Sequence, residues 1–188
     1  ELFEDFLKQL PHDTEDAAAL AREHEPRLDG RASTTTDKKR PLRHAVEIRH
    51  DSFLDPHFVT LLKRYDVALV IADTAGKWPY REDVTSDFVY LRLHGAEQLY
   101  ASGYTNEALK RWGDRIEAWR HGKQPADAHL IDPDKKPRAR KSREVFCYFD
   151  NDIKVRAPYD ARHLLEHFHL DKDLATAPGE HPAEGVLP

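Results

Sequence analysis

The chain has 188 residues, enough for one ordinary domain with its own hydrophobic core. Charged residues make up 34% of it yet nearly cancel to a formal −5, so composition does not mark a nucleic-acid or membrane binder. The longest apolar run, VALVIA at 67–72, is far too short to span a bilayer, and a lone Cys147 excludes an internal disulfide framework and suits a reducing, cytoplasmic setting.

The opening ELFEDFLKQL is acidic and amphipathic, unlike a signal peptide, and reads as the middle of a helix. With no methionine anywhere in the chain, the reading expects a missing beginning. Residues 24–42 are polar and turn-rich, which predicts an exposed insertion. HAVEIR (44–49) is the first strand candidate. In the stretch that follows, Asp55 is placed as an N-cap and Pro56 at the first helical position, and Phe58, Leu61, Leu62 and Tyr65 form one apolar stripe.

VALVIAD (67–73) and DFVYLRLH (87–94) are the next strands, nearly continuously apolar as strands covered on both faces tend to be. A helix follows, with Thr105 as its cap, Leu109, Trp112, Ile116 and Trp119 as its stripe and Gly122 as its stop. Residues 123–143 form a loop ending in the basic run DKKPRARKSR. EVFCYFD (144–150) is the fourth strand, within which Cys147 reads as a small packing residue. YDARHLLEHFHL makes the last helix, burying Ala161, Leu164, Leu165 and Phe168. Residues 171–188 lack periodicity and read as a disordered tail, so the single domain is assigned to 1–170. This alternation of strands and helices predicts an α/β fold with a parallel sheet.

Ligands of parallel α/β folds bind beyond the carboxyl ends of the strands. Here those ends carry Glu47, Arg49, His50 and Asp51, then Asp73, then Arg92 and His94, then Asp150, Asn151 and Asp152. Glu47 and Arg49 share a strand face, as do Arg92 and His94. Burying charge is costly unless it is paired, so the pattern points to a site or to an internal salt-bridge rim. Arginine pairs suit a phosphate or carboxylate, and the neighbouring carboxylates and imidazole supply acid–base groups. A divalent metal held among Glu47, Asp73, His94 and Asp152 is an alternative that the neighbouring arginines disfavour, and no metal ligands are assigned. HLLEH (163–167) matches a zinc-peptidase pattern, but its histidines lie on the opposite side of the helix from its apolar stripe and are expected to face solvent.

The blocks VEIRHDSF, VALVIADTAGKWPY, TSDFVYLRLHGAEQLY, GYTNEALKRWGDRIEAW and VFCYFDNDIKVRAPYDA together resemble a bacterial family known as domain of unknown function 72, or YecE-like. The likeness runs from about Arg43 to Leu170; Asp150, Val155 and Asp160 stand where that family often has Asn, Gly and Asn. The resemblance implies a TIM-type (β/α) barrel, of which this chain would supply the C-terminal four strands, since a full barrel needs about 250 residues. The N-terminal half would be missing, and association with it or self-association is expected. No reaction comes with the resemblance.

The residues themselves suggest a protein that binds a phosphorylated or other anionic small molecule, with hydrolase chemistry as one reading. Glu47, Asp73, His94 and Asp152 are its catalytic candidates, and Arg49, Arg92, Asn151, Tyr100 and Tyr104 its ligand-binding candidates. The alternatives are a metal-dependent nucleic-acid-processing barrel whose basic 135–143 loop touches phosphates, and a non-catalytic binding protein with a structural rim.

Overall fold

The computed structural model describes residues 2–96, 102–151 and 155–172. Its centre is a parallel sheet of β1 (His44–Val46), β2 (Val67–Asp73), β3 (Phe88–Leu93) and β4 (Glu144–Phe149), in that spatial order. Two helices, α1 (Leu2–Lys8) and α2 (Thr14–Ala21), precede the sheet. Helix α3 (Pro56–Arg64) joins β1 to β2, α4 (Asn106–Arg120) joins β3 to β4, and α5 (Ala157–His167) follows β4. The α/β parallel architecture is the one expected from the alternation of patterns.

The local signals act where they were read. The Asp55 carboxylate accepts the His57 N–H ahead of Pro56, and the Thr105 hydroxyl accepts the Ala108 N–H. Helix α4 ends in a paired C-cap: Gly122 N–H donates to Trp119 O and Lys123 N–H to Ala118 O, with Gly122 at φ 73°. Two elements depart from expectation. α2 was not anticipated; Asp13 caps it by accepting the Glu15 and Asp16 N–H groups. β1 is shorter than 44–49, because the chain leaves the ladder after Val46 and His50 then caps a single 3-10 turn at Asp51–Phe53.

Side-chain parity gives the sheet two unlike faces. Ile71, Leu91 and Leu93 pack under α4 and α5 with Trp112, Trp119 and Leu164, while Val67 and Leu69 pack with Phe58 and Leu62 of α3 and Leu7 of α1. Burial of such side chains contributes about 1.5–3 kcal/mol each. The other face carries Ala45, Val70, Phe88, Tyr90, Phe146 and Tyr148 around a cavity of about 530 Å³. Tyr90 and Tyr148 stack there with ring centroids 5.1 Å apart, and Tyr148 is 50% exposed.

The 74–87 connection contains no helix, and a side chain completes the ladder on the β3 side of Val67–Leu69, where β2 pairs only with β1. The Thr85 hydroxyl donates to Val67 O and accepts the Leu69 N–H. The 123–143 loop is tied down rather than loose. Glu82 accepts the His129 N–H, Asp83 accepts those of Ile131 and Asp132, and Lys63 donates to Lys135 O. Its basic run leads directly into Glu144 at the start of β4, so it lies at the sheet end opposite Arg92 and His94. The exposed His167 does not simply face water: its ring rests on α4 at Gly113, where an added Cβ would fall 2.6 Å from it.

Gly122 is the residue that this frame constrains most tightly. A Cβ there would lie 1.8 Å from Arg140 O, on a backbone already in the left-handed region. Gly122→Ala is expected to lower stability by at least ~2 kcal/mol, read as a shifted urea midpoint. An unchanged midpoint would contradict this packing.

Candidate functional site

Charged side chains from three strand ends meet over the carboxyl edge of the sheet. Arg92, on β3, donates through Nη1 to Glu47 Oε2 at 2.8 Å and through Nη2 to Asp150 Oδ2. Glu47 follows β1 and Asp150 follows β4, so one guanidinium links groups from both sides of β3. Reaching Glu47 means crossing β2, a span of about 10 Å for two strand spacings. The β2 residue in register with Arg92 is Ala72, whose small side chain leaves that path open.

His94 lies beneath this bridge and is fully buried. Its Nδ1 is 2.7 Å from Asp150 Oδ1 and its Nε2 is 3.5 Å from Glu47 Oε2. The backbone holds it there, since His94 N–H donates to Asp73 O and Asp150 N–H to Leu93 O. Arg49 Nε donates to the other Glu47 oxygen at 2.8 Å, while its guanidinium lies 4.2 Å over the Trp78 ring. Trp78 in turn meets His94 edge to face at 6.0 Å. Beyond it, a second cavity of about 410 Å³ opens at the ends of β1 and β2.

The family described as protein of unknown function DUF72 matches residues 1–184. The chain belongs to that family. Its fold is similar to that of a DUF72 family protein from Enterococcus faecalis V583, at 17% identity and a TM-score of 0.53, covering 74% of this chain and 52% of that one. A DUF72 family protein from Thermotoga maritima MSB8 is also similar, at 23% identity and a TM-score of 0.53, covering 69% of this chain and 47% of that one. The chain therefore spans about half the length of the solved structures it matches. No curated protein matches it.

In this DUF72 chain the remaining predicted residues fall elsewhere. Asp73 has the parity of Ile71 and turns toward the helices, where Tyr104 and Trp112 hydrogen-bond its carboxylate. Tyr104 O–H also accepts the Gly95 N–H, and burial pushes that phenol well above its ordinary value. Asn151 is fully buried and donates to Ser102 O and to Asp160 Oδ2, which also accepts the Tyr104 N–H. That bracket joins the end of β4 to the starts of α4 and α5. Thus Glu47, His94, Arg49 and Arg92 come together, while Asp73, Tyr104 and Asn151 form an adjoining group toward the helices, which His94 meets through its electrostatic interaction with Asp73 and its N–H bond to Asp73 O. Asp152 and Tyr100 lie outside the described residues.

The sequence reading did not single out Trp78, Lys77 or Arg81, although GKWPYR directly follows a strand end and combines cations with an aromatic. It also left Asp150 out of the site, although that residue contacts both Arg92 and His94. Among the described residues no group of three or more His, Cys, Asp or Glu side chains is arranged to hold a metal ion. No helix among them is long and apolar enough to cross a membrane. Burial pushes the Cys147 thiol up to about 12, as expected of a packing residue rather than a nucleophile.

The two carboxylates respond to pH in opposite senses. Burial alone would raise the Glu47 pKa, but Arg49 and Arg92 together hold it below the ordinary glutamate range. Its stabilising contribution is complete above the ordinary pKa, near pH 4, and is lost as pH falls through its depressed value. Asp73 is raised, chiefly by burial, so it costs stability as pH rises past the ordinary aspartate value near 4. Denaturant midpoints between pH 3 and 7 test both. Glu47→Gln is expected to flatten the acid-side loss, whereas Asp73→Asn raises the midpoint at pH 7 relative to pH 3.

Proposed function

We propose that the chain binds a phosphorylated or other anionic small molecule at the carboxyl ends of its strands and acts on it as a hydrolase through Glu47 and His94. The observation that carries this reading is Arg49. Its Nε is fixed by Glu47 and its plane by Trp78, yet 52% of the side chain is exposed, which leaves the outer edge of an oriented guanidinium for a ligand. Arg92 plays the complementary part, holding Glu47 and Asp150 in place rather than meeting the ligand first.

Glu47, kept ionised by two guanidiniums, suits a carboxylate that orients the attacking water by accepting its hydrogen bond, the water's proton passing to the leaving oxygen as the ester bond breaks; His94, buried between Glu47 and Asp150, steadies both carboxylates. The basic 135–143 run does not favour the nucleic-acid alternative, because it lies at the far end of the sheet.

We also take the four strands as half of a (β/α) barrel whose remaining wall comes from a further half or a second copy. This reading is supported by the half-length coverage of the related structures and by the open tyrosine-lined face. In thermal melts with phosphate or sulfate, Arg49→Ala should abolish the anion-induced rise in Tm, with the fold intact by circular dichroism. A rise equal to that of the unmodified protein would overturn the assignment.

A further inference from the structure

We infer that the cavity beyond Trp78 seats the phosphoryl group of a phosphomonoester, with Lys77, Arg81 and His50 as its contacts and Arg49 shared with the acid–base cluster. This rests on the reading above that the strand ends bind an anion, and it names both the chemical class and the seat. The cavity, about 410 Å³, is walled by Arg49, Lys77 and Arg81 with the carboxylate of Asp51; Arg49 Nε is taken by Glu47 and Arg81 Nη1 by Tyr80 O, so three cations meet two carboxylates and a ligand would use the remaining guanidinium N–H groups and the Lys77 ammonium. Such an excess of positive charge in a concave site focuses anions, and its volume lies within the range of small-molecule sites. Arg92 is engaged by two carboxylates, so the strand end nearest His94 offers no comparable seat.

The wall is built rather than incidental. Ala75 and Gly76 both hold positive φ, at 51° and 76°, a left-handed conformation that an alanine adopts only under strain. The turn is locked because Thr74 O accepts the Lys77 N–H and the Thr74 hydroxyl accepts the Trp78 N–H. It delivers Lys77 and Trp78 to the cavity side by side.

Across the cavity, His50 Nδ1 accepts the Ser52 N–H, which leaves Nε2 as the ring nitrogen able to donate. Three cations and an N–H donor match the three oxygens of a phosphoryl dianion better than the two of a carboxylate, for which one guanidinium fork suffices. Trp78 touches both Arg49 and His94, so a ligand seated here can extend along the indole toward Glu47.

Isothermal titration at constant ionic strength, with inorganic phosphate and with acetate, tests the assignment. Phosphate should bind at least tenfold tighter than acetate, and Lys77→Ala/Arg81→Ala should raise the phosphate Kd at least tenfold, while Lys77→Arg alone, which keeps the charge, should leave it within about twofold of the unmodified chain. If Arg49→Ala weakens phosphate but the Lys77/Arg81 double variant does not, the phosphoryl seat is wrong and the general anion reading survives. Equal affinity for acetate likewise overturns the phosphomonoester class. If neither anion binds the unmodified chain, both readings fall.

Discussion

Everything at the carboxyl edge of this sheet depends on one guanidinium placed between two carboxylates. Arg92 reaches across β2 to Glu47 and back to Asp150, and so fixes the ends of β1 and β4 relative to β3. A charge so placed is tolerable only because it is paired on both sides; removing one partner of a buried pair costs about 3–5 kcal/mol, less where water still reaches. His94, beneath the bridge, is held by the same two carboxylates. The bridge in turn requires a small residue on the intervening strand, which Ala72 provides.

That bridge organises a division of labour. Arg92 keeps Glu47 and Asp150 in place, while Arg49 carries the remaining positive charge outward over Trp78. Behind the sheet, Asp73, Tyr104, Trp112, Asn151 and Asp160 form a second polar group whose contacts run to helices and backbone rather than to a cavity. Adjacent strand positions send side chains to opposite faces, so the two groups lie on different sides of the sheet and meet at its edge, where His94 interacts with Asp73. Glu82 and Asp83 tie the 123–143 segment to the sheet's flank, which explains why a basic run that looks loose in sequence is held against α3.

Much of the fold was legible in the sequence because the signals were local. Asp55 with Pro56, Thr105, and Gly122 each act through bonds to residues within a turn or so, and the apolar stripes of α3 and α4 need only a helical period to be recognised. The site was legible only in part. Glu47, Arg49, Arg92 and His94 could be grouped because each lies at a strand end and shares a face with a charged neighbour. Asp73 was grouped with them by position along its strand, but its parity sends it the other way. Lys77, Trp78 and Arg81 escaped notice because they follow a left-handed turn at Ala75 and Gly76 that propensity does not announce.

The sequence by itself determined the order of the four strands with α3, α4 and α5, the caps Asp55, Thr105 and Gly122, and the concentration of ionisable residues at the strand ends, since these follow from short-range geometry and hydrophobic period. Only the tertiary structure decided which charges meet. Register sets Arg92 opposite Ala72, parity separates Asp73 from Glu47, and the turn after β2 brings Trp78 over to Arg49. Those are relations between residues far apart in the chain, which no local pattern specifies and which packing the strands side by side imposes.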